Sequence, residues 1–303
     1  NARIRRNWLS TGLPVAVVGP KMDLTYDAAF LGDEPAVLAD LASGKHKFAS
    51  KFKKAKRPMI IIGMGALARA DGAAVLGQAR DIAETYGVVT KIWNGFNVLH
   101  NSASRVAGLD MGFVPEKSGL DVEAMYKAAE AGKLDLVWLL GADEADLPRL
   151  KNAFIVYQGH HGDNGAHHAD VVLPGAAYTE KDGIYLNTEG RVQYANRAAF
   201  PPGEAREDWA ILRAFAGVMK INVGFDSLDE LRELLFRAVP HFADRDMISP
   251  AKWTKFGSRA KVKPVKLTTA IDNFYMTCAI SRASETMAEC MRANGTDQAE
   301  AAE

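Results

Sequence analysis

Cysteine is nearly absent from this 303-residue chain: Cys278 and Cys290 are the two it has, both near the end. Two thiols cannot build a disulfide scaffold, nor the four-cysteine set of a structural zinc site or an iron–sulfur cluster. Such sparse cysteine fits a reducing compartment. Net charge is lacking too, with 37 basic and 37 acidic side chains, so no overall field draws the chain to nucleic acid or to an anionic membrane. No apolar run approaches the ~20 residues that span a bilayer, and membrane association is expected only indirectly, through another protein. The opening Asn1-Ala2-Arg3-Ile4-Arg5-Arg6 has neither an initiator methionine nor the apolar core of a signal peptide. It reads as the continuation of a longer polypeptide.

What remains is a globular composition, 48% hydrophobic and 24% charged, in a chain long enough for a real core. Residues 15–18 form a first strand candidate and residues 34–41 a short helix, with Pro35 in the first turn where a missing N–H costs nothing. Residues 45–57 are basic and read as a solvated connector. Pro58-Met59-Ile60-Ile61-Ile62-Gly63 is the clearest buried strand. It is followed by helical spacing over residues 71–86, a C-terminal glycine at Gly87, and a return to strand over residues 88–93, which together make a βαβ unit. A helix at residues 121–131 and strands at 134–140, 154–157 and 169–173 form a second such region. Residues 183–187 and 191–194, flanking Thr188-Glu189-Gly190, predict a β-hairpin. Helices are expected at residues 204–218 and 226–239, the second with a capping box from Ser227 and Glu230. Beyond Pro240 periodicity fades, and the small, acidic stretch from Thr296 is expected to be disordered. The fold class is α/β, a mainly parallel sheet with helices on both faces, plus a β-hairpin and an irregular C-terminal arm.

Three segments invite a chemical reading. Gly63-Met64-Gly65-Ala66-Leu67-Ala68 matches the loose form of a dinucleotide fingerprint. Yet Lys91 stands near where an acidic residue should hold the ribose, and a tight strand-to-helix turn accounts for the glycines. The loop 159–170 carries His160, His161, Asp163, His167 and His168, a possible zinc or iron set by residue type. Adjacent histidines in an extended loop are expected to diverge, no helical His-x-x-x-His spacing is present, and a metal site is disfavoured. The densest polar cluster runs from Thr179-Glu180-Lys181-Asp182 to Asn187, Glu189 and Arg191, with no nucleophile and matching base beside it. No catalytic constellation emerges from the residues.

Several stretches together resemble one family: Val17-Val18-Gly19; Gly63-Met64-Gly65-Ala66-Leu67 with Asp71-Gly72; Tyr157-Gln158-Gly159-His160-His161-Gly162-Asp163; Ala169-Asp170-Val171-Val172-Leu173-Pro174-Gly175-Ala176-Ala177-Tyr178-Thr179-Glu180-Lys181; Asn187-Thr188-Glu189-Gly190-Arg191; and Ile271-Asp272-Asn273-Phe274-Tyr275-Met276-Thr277. The chain looks like the C-terminal part of the G subunits of NADH-quinone oxidoreductase (respiratory complex I), of alphaproteobacterial or mitochondrial type. The hairpin region also resembles the molybdopterin oxidoreductase superfamily. The resemblance implies a molybdopterin oxidoreductase-like fold kept as a non-catalytic scaffold, with Asn187, Glu189 and Arg191 as relict pterin-site candidates. It implies no cofactor in this segment, [2Fe-2S] and [4Fe-4S] clusters upstream in the parent chain, and other peripheral-arm subunits of complex I as partners. It also implies a peripheral place on the cytoplasmic face of a bacterial inner membrane, or on the matrix side of the mitochondrial one.

The expected division is an α/β domain over residues 1–200, a helical segment packing on it over 201–250, and an extended C-terminal arm with a disordered tail over 251–303. Trp253, Phe256, Phe274 and Tyr275 mark residues 252–291 as a partner-docking arm, since exposed aromatics in irregular chain need another surface to cover them. The competing expectations are a pterin- or nucleotide-binding oxidoreductase domain and an NAD-binding Rossmann domain.

Overall fold

The computed structural model describes residues 1–103, 105–271 and 273–294. The acidic tail expected to be disordered lies outside the described residues. The chain divides into two compact units, Asn1–Ser102 with Pro250–Asp272, and Ala103–Ser249 with Asn273–Glu303.

The first unit contains α1 (Ala2–Thr11), β1 (Ala16–Val18), β2 (Ala29–Gly32), α2 (Ala36–Ala42), α3 (Ala49–Lys54), β3 (Ile60–Gly63), α4 (Met64–Leu67), α5 (Gly72–Tyr86) and β4 (Phe96–Leu99). Strands pair in parallel, β1 with β2 from Ala16 opposite Ala29, and β3 with β4 from Ile60 opposite Phe96. Helix α5 buries Ala74, Val75, Ala79, Ile82 and Ala83, a stripe at helical spacing. It stops where Gly87 turns left-handed at φ 63° and donates its N–H to the Ala83 carbonyl, the conformation glycine adopts without strain.

The return strand lies later than the expected residues 88–93. Val88 is fully buried, but Thr90 N–H bonds back to the Trp93 carbonyl at 2.7 Å and Ile92 is 93% exposed. Residues 88–95 are thus a tight excursion, and β4 begins only at Phe96. A Cβ on Gly95 would lie 2.3 Å from the Pro58 carbonyl, so the backbone enters β4 in close contact with the start of β3.

The residues after Pro250 are irregular, as expected, but much of the segment is part of the first unit. Arg80, 6% exposed, donates to the Phe256 carbonyl, and Ser258 N–H donates to Ala73 at 2.7 Å. Arg69 donates to the Val265 carbonyl at 2.6 Å, and Asp71 accepts the Lys263 N–H at 2.6 Å. Trp253 and Phe256 pack on Phe96 with ring centroids 5.2 and 5.4 Å away. Phe256 is therefore partly covered within its own chain, while Trp253 touches Phe96 and keeps 36% of its surface exposed. Tyr275 is half-buried, and Phe274 stays 75% exposed.

The second unit contains α6 (Arg105–Asp110), α7 (Val122–Glu130), β5 (Leu136–Leu140), β6 (Phe154–Gly159), α8 (Asn164–His168), β7 (Val171–Pro174), β8 (Gly183–Leu186), β9 (Val192–Ala195), α9 (Asp208–Val218), α10 (Leu228–Ala238), α11 (Ala279–Arg282) and α12 (Glu285–Ala293). Strands β5, β6 and β7 form a parallel sheet in chain order, with Leu136 opposite Phe154 and Val156 opposite Val171. Ala129, Leu139, Leu147, Leu150, Ile155 and Tyr157 form its core on one face. The hairpin β8–β9 is antiparallel, with Gly190 at φ 80° in its loop, and builds a second core from Ala107, Leu186, Val192 and Phe242.

Helix α9 starts four residues later than expected. Arg206 N–H donates to the Pro174 carbonyl at 3.0 Å, and Ala176 N–H donates to Arg206 at 2.9 Å. A residue extended in a parallel bridge cannot also be helical. The cap of α10 forms as read: Glu230 N–H donates to Ser227 Oγ at 3.2 Å, while the Glu230 carboxylate reaches back to the Asp226 N–H at 2.6 Å. Helices α11 and α12 are short and were not legible. No helix among the described residues is long and apolar enough to cross a membrane.

Candidate functional site

A parallel sheet places the carboxyl ends of its strands on one edge, and open α/β sheets bind ligands there. In the second unit that edge is formed by the loops after β5, β6 and β7, and polar side chains crowd it. Gln158, the penultimate residue of β6, is fully buried. Its amide donates to Asp208 Oδ1 at 2.9 Å and accepts from Trp138 Nε1 at 3.2 Å. The other carboxylate oxygen of Asp208 takes the Lys181 ammonium. A buried amide is tolerable only with such partners, and here all three groups are spent on one another.

Behind this network stands Tyr157. Its hydroxyl donates to Asp143 Oδ2 at 3.1 Å, with the His161 carbonyl 3.3 Å away as a second acceptor. Asp143, 6% exposed, also accepts the Gly165 N–H at 3.3 Å. Burial, reinforced by the Asp143 charge, pushes the Tyr157 hydroxyl well above its ordinary pKa, so it remains a neutral donor. A Cβ on Gly159 would fall 2.2 Å from the Tyr157 oxygen, and one on Gly165 would fall 2.5 Å from the ring. Glycine is required at both positions because the loop lies directly on the aromatic ring.

The loop histidines do not gather into one constellation. His160 and His161 turn their rings together, Nδ1 to Nδ1 at 2.7 Å, contrary to the divergence expected of neighbours in an extended loop. Glycines on either side, Gly159 and Gly162, leave the loop free to curl. Burial, the His161 ring and the Lys181 charge lower the His160 pKa. His168 Nδ1 instead lies 3.0 Å from the Asn164 carbonyl, within α8. Asp163 caps α8 through the Asn164 N–H at 2.9 Å and pairs with Arg282 Nε at 2.5 Å. Burial opposes its ionisation, but Arg282 and the Asn164 N–H outweigh that and hold its pKa below the usual range. Among the described residues no three His, Cys, Asp or Glu side chains are arranged to hold a metal ion.

The hairpin tip is self-satisfied. Asn187 Oδ1 accepts the N–H groups of Glu189 and Arg191 at 2.9 and 3.0 Å, and its Nδ2 donates to Glu189 at 3.2 Å. Arg191 donates to Glu189 at 3.3 Å and to the Asp246 carbonyl at 2.7 Å. Val192 N–H donates to Met247 at 3.1 Å and Asp246 N–H to Val192 at 2.7 Å, so Arg191 ties the tip to an adjoining strand of backbone.

A model of the molybdopterin oxidoreductase family matches residues 1–218. The chain belongs to that family. A second model, the C-terminal domain of the NADH-ubiquinone oxidoreductase G subunit, matches residues 247–290. The NADH-quinone oxidoreductase G subunit of Rickettsia felis is 43% identical over 293 residues, which cover 97% of this chain and 42% of the relative. The same proteins of Rickettsia bellii and Rickettsia conorii are 42% and 43% identical over 293 residues, again 97% of this chain, and 41% and 42% of their own lengths. The chain therefore spans about two fifths of the curated relatives it matches. The likeness carried by the motifs holds over nearly the whole sequence.

A molybdopterin group suits the fold family but not the residues here. Both polar ends of Asn187 are used inside the hairpin, and Arg191 is bound to Glu189 and to the Asp246 carbonyl, so these polar groups are already engaged within the chain. Of the groups at the carboxyl edge, Lys181 was legible as a member of the densest polar cluster, Tyr157 as a residue of the strand 154–157, and Gln158 as part of a family pattern. Gln158 did carry a signal: it is the one polar side chain in the strand Phe154-Ile155-Val156-Tyr157-Gln158. Asp208 carried none, since the bridge at Arg206 brings it in from 50 residues away. Asp143 was equally silent.

Proposed function

We propose that this chain is a non-catalytic, partner-binding part of the large peripheral-arm subunit of NADH:quinone oxidoreductase. The parent complex transfers electrons from NADH to quinone with proton translocation. The parent chain would carry its [2Fe-2S] and [4Fe-4S] clusters outside this segment, its partners would be other peripheral-arm subunits, and its membrane contact would be indirect. A place on the cytoplasmic face of a bacterial inner membrane, or on the matrix side of the mitochondrial one, follows from the same reading. The relatives bear the name of NADH-quinone oxidoreductase G subunits, which supports the assignment of the parent.

The observation that carries the scaffold reading is the closed carboxyl edge. Gln158, Asp208, Lys181, Tyr157 and Asp143 satisfy one another where a catalytic relative would present groups to a ligand. On the same reading, Asn187, Glu189 and Arg191 are relics of a pterin site that now serve to bind the hairpin to residues 246–248. The alternative, a pterin- or nucleotide-binding oxidoreductase domain, draws its support from family membership.

Elemental analysis and oxidised-pterin fluorescence of the purified chain, with capture by complex I lacking its G subunit, test the two together. The scaffold reading expects no stoichiometric iron, molybdenum or pterin, and capture. One pterin or molybdenum per chain would overturn it.

A further inference from the structure

The paired imidazoles of His160 and His161 have no part in the scaffold. Their Nδ1 atoms stand 2.7 Å apart, with rings 4.9 Å between centroids and nearly perpendicular at 87°. Two unprotonated ring nitrogens cannot rest at that distance, because both present lone pairs. Something positive must lie between them, either a proton on one ring or a cation shared by both. Around His160, the carboxylates of Asp143 and Asp208 favour a cation, while burial, the His161 ring and the Lys181 ammonium oppose added positive charge, so a cation must be held by the two nitrogens themselves.

We propose that His160 and His161 form a two-imidazole binding site for a borderline divalent transition cation of the zinc class. Imidazole nitrogen is the donor such ions favour. Zinc bound at 2.0–2.1 Å to two nitrogens in tetrahedral geometry holds them about 3.3 Å apart, so the rings need to spread by roughly 0.6 Å. The loop permits this: His160 and Gly162 are exposed, and a Cβ on Gly162 would meet nothing within 4 Å. No third His, Cys, Asp or Glu among the described residues completes the set, so water fills the remaining positions and the ion exchanges readily. Zinc is redox-inactive, and the site stands or falls independently of the scaffold reading.

The test is titration of the 303-residue chain with zinc by calorimetry, alongside ¹⁵N NMR of the histidine rings. One saturable zinc per chain is expected, with the Nδ1 signals of His160 and His161 moving together at constant pH. His160→Gln and His161→Gln should each weaken binding at least about tenfold, while His167→Gln leaves it unchanged. The ring signals of the unaltered chain serve as the measure if either variant fails to fold. Ring signals that follow pH but ignore zinc would mean that only a proton is shared, and would overturn the proposal. So would zinc binding undiminished in both histidine variants.

Discussion

Replacing Gly77 by alanine opposes two effects whose sizes the structure separates. In the interior of a helix alanine is favoured over glycine by about 1 kcal/mol, and Gly77 lies well inside α5. A Cβ there, however, would stand 2.2 Å from the Ser258 carbonyl oxygen, against the 3.3 Å or so that a carbon–oxygen contact requires. The arm must retreat by roughly 1 Å. That movement breaks the Ser258 N–H bond to Ala73 and loosens the Phe256 carbonyl from the buried Arg80 guanidinium. Losing a neutral hydrogen bond and one to a charged group costs about 2–4 kcal/mol together, so Gly77→Ala should lower stability by about 1–3 kcal/mol net. Gly108 provides the contrast: it also lies within a helix, α6, but a Cβ there meets nothing within 4 Å. Gly108→Ala should therefore raise stability by up to about 1 kcal/mol. Urea denaturation gives the two free energies, and amide exchange over residues 256–260 should speed up in the first variant alone. If Gly77→Ala is as stable as the parent chain or more so, the arm is not seated on α5 as described.

Other consequences follow from the same contacts. Tyr157→Phe removes a donor from the buried Asp143 carboxylate and should cost about 1–3 kcal/mol in chemical denaturation; no loss would mean that the bond is not made. Asp71 is held at a pKa of about 2, chiefly by Arg69 and then by the Lys263 N–H. Its folded value is depressed, so its contribution is present above the unfolded pKa and fades as pH falls from about 4 towards 2. The acid-unfolding curve should lose that segment in Asp71→Asn, and an identical curve for both proteins would contradict the pairing. Arg282→Gln cuts the chain's link from α11 to Asp163 and Glu144, and amide exchange should rise over α8 and residues 143–145 while α5 is unaffected.

Local structure was largely legible because its causes are local. The apolar run ending at Gly63, the 3.6-residue stripe of α5, the glycine stop at Gly87 and the serine–glutamate cap of α10 act within a few residues of themselves. The shift of the return strand from residues 88–93 to Phe96–Leu99 was not legible. Residues 88–93 have the composition of a strand, but the chain there doubles back on itself, with Thr90 N–H on the Trp93 carbonyl and Gly95 N–H on the Val88 carbonyl. The start of α9 at Asp208 rather than Glu204 has the same kind of cause, a bridge to Gly175 that no spacing announces.

Composition alone determined that two cysteines could hold no four-thiolate cluster and that neutral overall charge offered no general attraction to nucleic acid. Motif order alone carried the family. Tertiary structure decided what the polar residues do, because a hydrogen bond depends on distances that sequence separation does not constrain. It joined Gln158 to Asp208 and Arg282 to Asp163, and brought the Nδ1 atoms of two neighbouring histidines together. It also laid the arm expected to dock a partner against Gly65 of α4 and Gly77 of α5, since only folding reveals where backbone must touch backbone.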